Sequence, residues 1–298
     1  YYSNEINLIT DIAPFSKFGI ASDGYFVPGV AETVQIQALD ISGDPTPSFN
    51  RSGNVEISVI QGDAELSETT LTKRDFPTGI AEIELIAEGD DDIILQVVFG
   101  TKVAESDPLE YRLFSDLSSA DDYYESVVYL YKKGTVQGYP DGSFQPERTV
   151  SRVEALKFIF SGLNQGLASG AAINFRDTES GQWYSDYLAT AYEIGVVQGY
   201  SDGTFKPSQG VNRVEFLKML LSTVDEISID PVVTEDPYSD VSNLSWFAPY
   251  VQYAKENNIF PTDGSYFTPS EPMSRVEVAE VIYRLTLVLQ HDEPYSVL

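Results

Sequence analysis

Three stretches of this sequence repeat one another in tandem, and nothing else limits the possible folds as strongly. They read "FSD…YYESVVYLYKKGTVQGYPDGSFQPERTVSRVEALKFIF", "FRD…WYSDYLATAYEIGVVQGYSDGTFKPSQGVNRVEFLKMLL" and "YSD…WFAPYVQYAKENNIFPTDGSYFTPSEPMSRVEVAEVIY". Arg152 and Arg213 lie 61 residues apart, and Arg213 and Arg275 lie 62 apart. Matched copies at a fixed period indicate one supersecondary unit used several times, each copy too small to bury its own apolar face.

Each copy reads as helix, loop, helix. Apolar residues fall at 124, 127, 128 and 131, at 184, 187, 188 and 191, and at 247, 250, 251 and 254, the spacing of a buried helical stripe. Gly134 and Gly195 stand where a left-handed cap ends the first helix, and Asn258, the next-best residue for that backbone, takes the place in the third copy. "PDGSF", "SDGTF" and "TDGSYF" are turns, each followed by a proline that keeps the chain extended. The second helices bury Leu156, Ile159 and Phe160, then Leu217, Leu220 and Leu221, then Ala279, Ile282 and Tyr283. Three such hairpins can cover their stripes by meeting around a pseudo-threefold axis.

The second helices open on "SRVE" (151–154), "NRVE" (212–215) and "SRVE" (274–277). Ser or Asn with Glu three residues later is a capping box, which assigns Glu154, Glu215 and Glu277 to capping. The arginine is harder to place. In a first turn the helix dipole already presents partial positive charge, and a cation there is disfavoured by about 0.3–1 kcal/mol. Either Arg152, Arg213 and Arg275 are surface or carboxylate-paired residues, or each joins the free N–H groups of its helix start in an anion receptor.

Charge narrows the partners. The chain has 18 basic and 46 acidic residues, a formal net charge of −28. Residues 1–113 hold 6 basic and 20 acidic side chains and residues 114–298 hold 12 and 26, so the imbalance is spread along the chain. Nucleic acid and anionic membranes are disfavoured as partners, because both need clustered Lys and Arg. Acidity of this degree suits an extracellular protein. With no cysteine, disulfides, thiolate sites and cysteine nucleophiles are excluded. The lone His291, in what reads as a poorly ordered tail, leaves no material for a Ser-His-Asp triad or a multi-histidine metal site. No apolar run approaches the roughly 20 residues of a membrane span. The start at Tyr1, without Met or a signal-like segment, reads as a mature chain or a piece of a longer one.

Residues 1–113 carry a different period. "TVQIQAL" alternates Val34, Ile36 and Ala38 with Gln35 and Gln37; "NVEISVI", "IAEIELIA" and "DIILQVVFG" behave likewise. One dry and one wet face per strand, with Gly, Pro and Asp turns between, predicts an antiparallel sandwich. The run "YFVPGVAETVQIQALDISGDPTPSFN" resembles the opening of bacterial immunoglobulin-like domains.

The repeats resemble S-layer homology (SLH) domains. The matching features are the "F-x-D" opening, the Trp-Tyr or Trp-Phe at the first helix, the "G-Y-x-D-G-x-F-x-P" loop, and a second-helix start like "T-R-A-E". The resemblance covers about residues 114–290 and implies a pseudo-trimer with grooves between units. It also implies non-covalent attachment to cell-wall polysaccharide, commonly a pyruvylated polymer linked to peptidoglycan. The expected architecture is therefore an all-β immunoglobulin-like sandwich (1–113), then an all-α pseudo-trimeric region of three repeats (114–168, 169–230 and 231–290), and a tail (291–298).

By family match, Arg152, Arg213 and Arg275 are the candidates for holding a ligand carboxylate. Their triple replacement by alanine is then expected to abolish binding while the protein stays folded. Trp183 and Trp246 offer a flat face to a sugar ring or pack half-buried on helices; the first repeat has Tyr123 there. Tyr139 and Tyr200, in the "GY" loop, are placed to bond sugar hydroxyls, whereas the third repeat has Phe260-Pro261. Asp116, Asp177 and Asp240 match the family's opening acid, with capping as the plainer role.

Other signals point less far. "DGS" and "DGT" lack the alternating acids of a calcium loop. "EGDDD" at 88–92 is a turn that leaves Ca²⁺ open as a ligand; no other cofactor is expected. With so many acids, a glycosidase carboxylate pair cannot be read from sequence, and "NRS" and "NLS" match glycosylation sequons. The resulting expectation is a non-catalytic protein of the cell surface. Two alternatives stand beside it: a lattice or fibre subunit in which "YYSNEINLIT" adds a strand to a neighbour, and the wall anchor of a larger exported enzyme.

Overall fold

A computed structural model describes residues 13–168, 175–262, 264–291 and 293–296. "YYSNEINLIT" lies outside the described residues. The chain forms two compact units: residues up to Ser118 together with Tyr139–Ser143, and Ser119–Gly138 together with the remainder from Phe144.

In the first unit, period-two sequences become strands. β1 (Lys17–Ala21), β3 (Ala31–Leu39), β7 (Ile80–Ala87) and β5 (Ala64–Leu66) form one four-stranded sheet in the order β1-β3-β7-β5. β6 (Thr70–Leu71), β4 (Val55–Gln61), β8 (Ile94–Phe99) and β9 (Lys102–Glu105) form a second in the order β6-β4-β8-β9. All pairs within these two sheets are antiparallel. Register follows the alternation: Val34 faces Ile83 and Ile36 faces Ala81, so the apolar set of both strands falls on one buried side. Both sheets share one core, to which Phe18, Phe49 and Phe76 contribute edge-on and tilted ring contacts. The expectation of purely antiparallel pairing needs correction at β2 (Tyr25–Phe26) and β10 (Glu110–Tyr111), which pair in parallel. Two-residue strands carry no readable alternation. Gly79 is required where it stands, since at φ +89° an added Cβ would lie 2.5 Å from the Thr46 nitrogen.

The second unit holds α1 (Tyr124–Lys132), α2 (Arg152–Gly162), α3 (Ser185–Glu193), α4 (Arg213–Leu221), α5 (Ala248–Glu256) and α6 (Arg275–His291). His291 thus ends a helix and does not lie in a disordered tail. Gly134, Gly195 and Asn258 adopt φ 72°, 78° and 51°, the left-handed stops expected of them. Ser151 and Asn212 close capping boxes with Glu154 and Glu215.

This region is not all-α, and that expectation is corrected. The short segments ahead of α2, α4 and α6 are extended and bridge one another as in a sheet: Thr149 with Ser274, Ser151 with Gly210, and Asn212 with Pro272. Val150 N–H donates to the Met273 carbonyl, Met273 N–H to Val211, and Val211 N–H back to Val150, each at 2.9 Å. The cause is backbone accounting. Val150, Val211 and Met273 are fully buried, and buried N–H and C=O groups must find partners. Each segment finds them on the other two repeats, closing a ring that no helical period announces.

Candidate functional site

Each arginine leaves its helix start and reaches the turn of another repeat. Arg152 Nε donates to the Phe205 carbonyl at 3.0 Å, Arg213 NH1 to Phe267 at 2.9 Å, and Arg275 Nε to Phe144 at 2.9 Å. The order is cyclic: first repeat to second, second to third, third to first. Aromatic faces complete the seats. The Arg152 guanidinium carbon lies 4.6 Å from the Phe205 ring centre and 5.1 Å from Tyr200, Arg213 lies 5.3 Å from Phe260, and Arg275 lies 4.7 Å from Phe144.

Carboxylates close two of these links. Arg152 NH1 pairs with Glu215 at 3.2 Å, and Arg213 NH2 with Glu277 at 2.7 Å. Glu215 and Glu277 therefore serve twice, as caps of their own helices and as acceptors for the preceding repeat's arginine. Arg152 and Arg275 are each only 7% exposed. This geometry accounts for arginine in an unfavourable first turn: its charge is spent on carbonyl and carboxylate oxygens of a neighbouring repeat, away from the helix dipole. Arg275 NH2 also donates to the Gln137 carbonyl at 3.3 Å.

The opening aspartates have a comparably defined task. Asp177 accepts from the N–H groups of Phe205 and Lys206 at 2.8 and 2.7 Å, and Asp240 from Phe267 and Thr268 at the same two distances. Lys206 and Thr268 sit at φ 59° and 52°, conformations that cost a non-glycine residue free energy. The carboxylates hold those turns and so aim the carbonyls the arginines use. Asp116 occupies the matching sequence position and, like Tyr139, belongs to the first unit.

A cavity of about 230 Å³ brings predicted residues together. Arg152, Tyr200 and Trp246 line it, contributed by three successive repeats, with Gly199, Glu215 and Lys218 beside them. Trp246 is 60% exposed, and the Tyr200 hydroxyl lies 3.2 Å from Glu215. Burial pushes the Tyr200 phenol up, an effect that the Arg152 charge opposes.

Lys218 is the residue that sequence reading missed. Its ammonium donates to the Val196 carbonyl at 2.9 Å, and burial, then the Arg152 charge, holds it below the ordinary lysine value of 10.5. A signal was present: five residues after the arginine, Lys157 and Lys218 stand in the first two repeats and Glu280 in the third. Lys157 repeats the placement, its ammonium 5.9 Å from the Trp183 ring, and Trp183 is 55% exposed. Lysine beside exposed indole therefore occurs twice. A larger cleft of about 750 Å³ along α5 sets Asp230, Glu235, Asp236 and Glu256 against Lys255, a net negative wall unsuited to an anion. Among the described residues no group of three or more His, Cys, Asp or Glu is arranged as a metal site, and no helix is long and apolar enough to cross a membrane.

Three units clasped in a ring, with a cavity beside an exposed indole, are what the geometry shows, and family comparison identifies the class of repeat. The S-layer homology domain family matches residues 113–156, 174–217 and 237–279. The chain carries three S-layer homology domains, and it is a protein of the cell surface. It is 28% identical over 174 residues to the S-layer protein sap of Bacillus anthracis, covering 57% of this chain and 21% of that one. It is 29% identical over 192 residues to an endoglucanase of Bacillus sp. (strain KSM-635), covering 61% and 20%. The chain thus spans about a fifth of the length of these curated relatives. Among solved structures, domains 4 and 5 of the S-layer protein SbsC match with 14% identity and a TM-score of 0.25, over 33% of this chain and 51% of that one, too little to carry a fold assignment. The immunoglobulin-like assignment accordingly gains no support.

Proposed function

We propose that the second unit is a non-catalytic anchor whose clefts between repeats hold an acidic cell-wall polysaccharide. One observation carries the reading: the cavity joining Arg152, Lys218, Tyr200 and the exposed Trp246. A pyruvyl-type carboxylate finds two cations there, one of them a lysine whose charge is incompletely compensated, and a sugar ring finds an indole face. Trp183 with Lys157 offers the same pairing of cation and exposed indole between the first and second repeats. Arg152, Arg213 and Arg275 act first as clasps between repeats, and Arg152 adds its charge to the site from within that clasp. Asp177 and Asp240 position turns and do not touch ligand.

The test is retention of the chain on isolated wall polymer before and after chemical removal of the polymer's ketal-linked acids. Retention by the intact polymer, loss on the stripped one, and weakening by Lys218→Ala and Trp246→Ala are expected. Equal retention by the stripped polymer refutes the reading.

A further inference from the structure

The third repeat departs from the first two at two positions on one helical face. Lys157 and Lys218 are replaced by Glu280, and Ser161 and Ser222 by Arg284. Glu280 and Arg284, one turn apart on α6, pair at 2.5 Å, and they are 4% and 8% exposed. Across from them the first repeat offers Tyr123 in place of tryptophan, held at φ 67°.

Beyond α6, residues 293–296 fold back onto this pair. Tyr295 N–H donates to the Asn257 carbonyl at 3.0 Å, and the Asn258 side-chain amide donates to the Tyr295 carbonyl at 2.9 Å. The Tyr295 ring lies 4.5 Å from the Arg284 guanidinium carbon and 6.3 Å from the Tyr283 ring. Arg284 NH1 reaches the Asn258 carbonyl at 3.3 Å. Arg284 is thus enclosed by a carboxylate, a helix-end carbonyl and an aromatic face, all from this chain. Lys157 lies 5.9 Å from one exposed indole and Lys218 shares a cavity with another; here the cation is neutralised and its face covered.

We propose that the cleft between the third and first repeats takes no ligand and is closed by residues 293–296, a strap anchored by Tyr295 on the Glu280–Arg284 pair. The number of ligand clefts then falls from three to two. That count rests on the anchor reading; the strap itself does not.

Two measurements on the full chain separate them. Hydrogen exchange compares the unaltered protein with Tyr295→Ala and Tyr295→Phe. Tyr295→Ala is expected to speed exchange about tenfold or more at residues 257–262 and in the first turn of α1, with Tyr295→Phe close to the unaltered protein, since the ring contact survives. Unchanged exchange in Tyr295→Ala overturns the strap. Calorimetric titration then uses a pyruvyl-ketal amino-sugar glycoside as probe. Lys157→Ala with Lys218→Ala should abolish its binding, whereas one residual equivalent overturns the closed third cleft. If the unaltered chain binds no probe at all, the anchor reading fails and exchange alone decides the strap.

Discussion

Replacing Arg152 by alanine should destabilise the helical unit far more than replacing Lys218, although both cations line the same cavity. Arg152 donates from Nε to a buried carbonyl and from NH1 to Glu215, and its side chain is 9% exposed. A hydrogen bond from a charged donor contributes about 1.5–3 kcal/mol, and breaking a buried ion pair costs about 3–5 kcal/mol. Glu215 is 22% exposed and keeps contacts with Asn212 N–H and the Tyr200 hydroxyl, so the second term is reduced. The expected loss is about 2–4 kcal/mol. For a unit of this size that is a fall in Tm of roughly 5–12 °C. Lys218→Ala removes one hydrogen bond to Val196 and at the same time relieves a half-buried charge, so it should change stability by less than about 1 kcal/mol. Both tryptophans, Trp183 and Trp246, lie in the helical unit, so their fluorescence during urea unfolding reports that unit alone. The triple arginine variant, expected from sequence to stay folded, should on this reasoning not do so. An Arg152→Ala protein that keeps its full stability while losing wall binding would refute the clasp and return arginine to the ligand.

Two further outcomes follow from the same geometry. Lys218 is held below the ordinary lysine value, and an anionic ligand needs it protonated. Affinity should therefore fall as pH rises through that lowered pKa, earlier than a free lysine would allow; titration of binding against pH, with Lys218→Arg keeping affinity to higher pH, checks this. Asp240→Ala leaves two N–H groups without their carboxylate at a turn where Thr268 has φ 52°, and should cost about 2–3 kcal/mol in the same unfolding assay, whereas Asp240→Asn, which retains one acceptor oxygen, should cost about half of that.

Much of this was legible because it is periodic or local. The helical stripes were legible in part, since Val127, Leu188, Ala191, Val251 and Ala254 are buried as predicted, whereas Tyr131, predicted with them, is 43% exposed. The left-handed stops at Gly134, Gly195 and Asn258 and the capping glutamates follow from spacing alone. So did the dry face of β3 and β7. The ring through Val150, Val211 and Met273 was not legible, since three extended residues have no period and their hydrogen bonds run between repeats. The arginine's partner was hidden for a related reason: a backbone carbonyl has no letter in the sequence. Lys218 was legible in principle. It escaped notice because the arginine, at the more conspicuous position, had already been given the ligand's charge.

Charge at two length scales sets the last expectation. The chain carries −28 overall, so an acidic polymer approaching it is repelled at a distance. In the cavity the balance is reversed: Arg152 and Lys218 against Glu215 leave one excess positive charge at contact range. Screening acts on the first effect and barely on the second, because the Debye length shrinks from about 30 Å at 0.01 M salt to about 8 Å at 0.15 M, while groups within hydrogen-bonding distance are little affected. Association with the wall polymer should accordingly speed up as salt rises over that range, and dissociation should stay nearly constant. Steering by opposite charges gives the contrary trend. Surface-immobilised polymer and flowing protein at three salt concentrations would measure both rates, and an association rate that falls with salt would mean that attraction reaches well beyond the cleft.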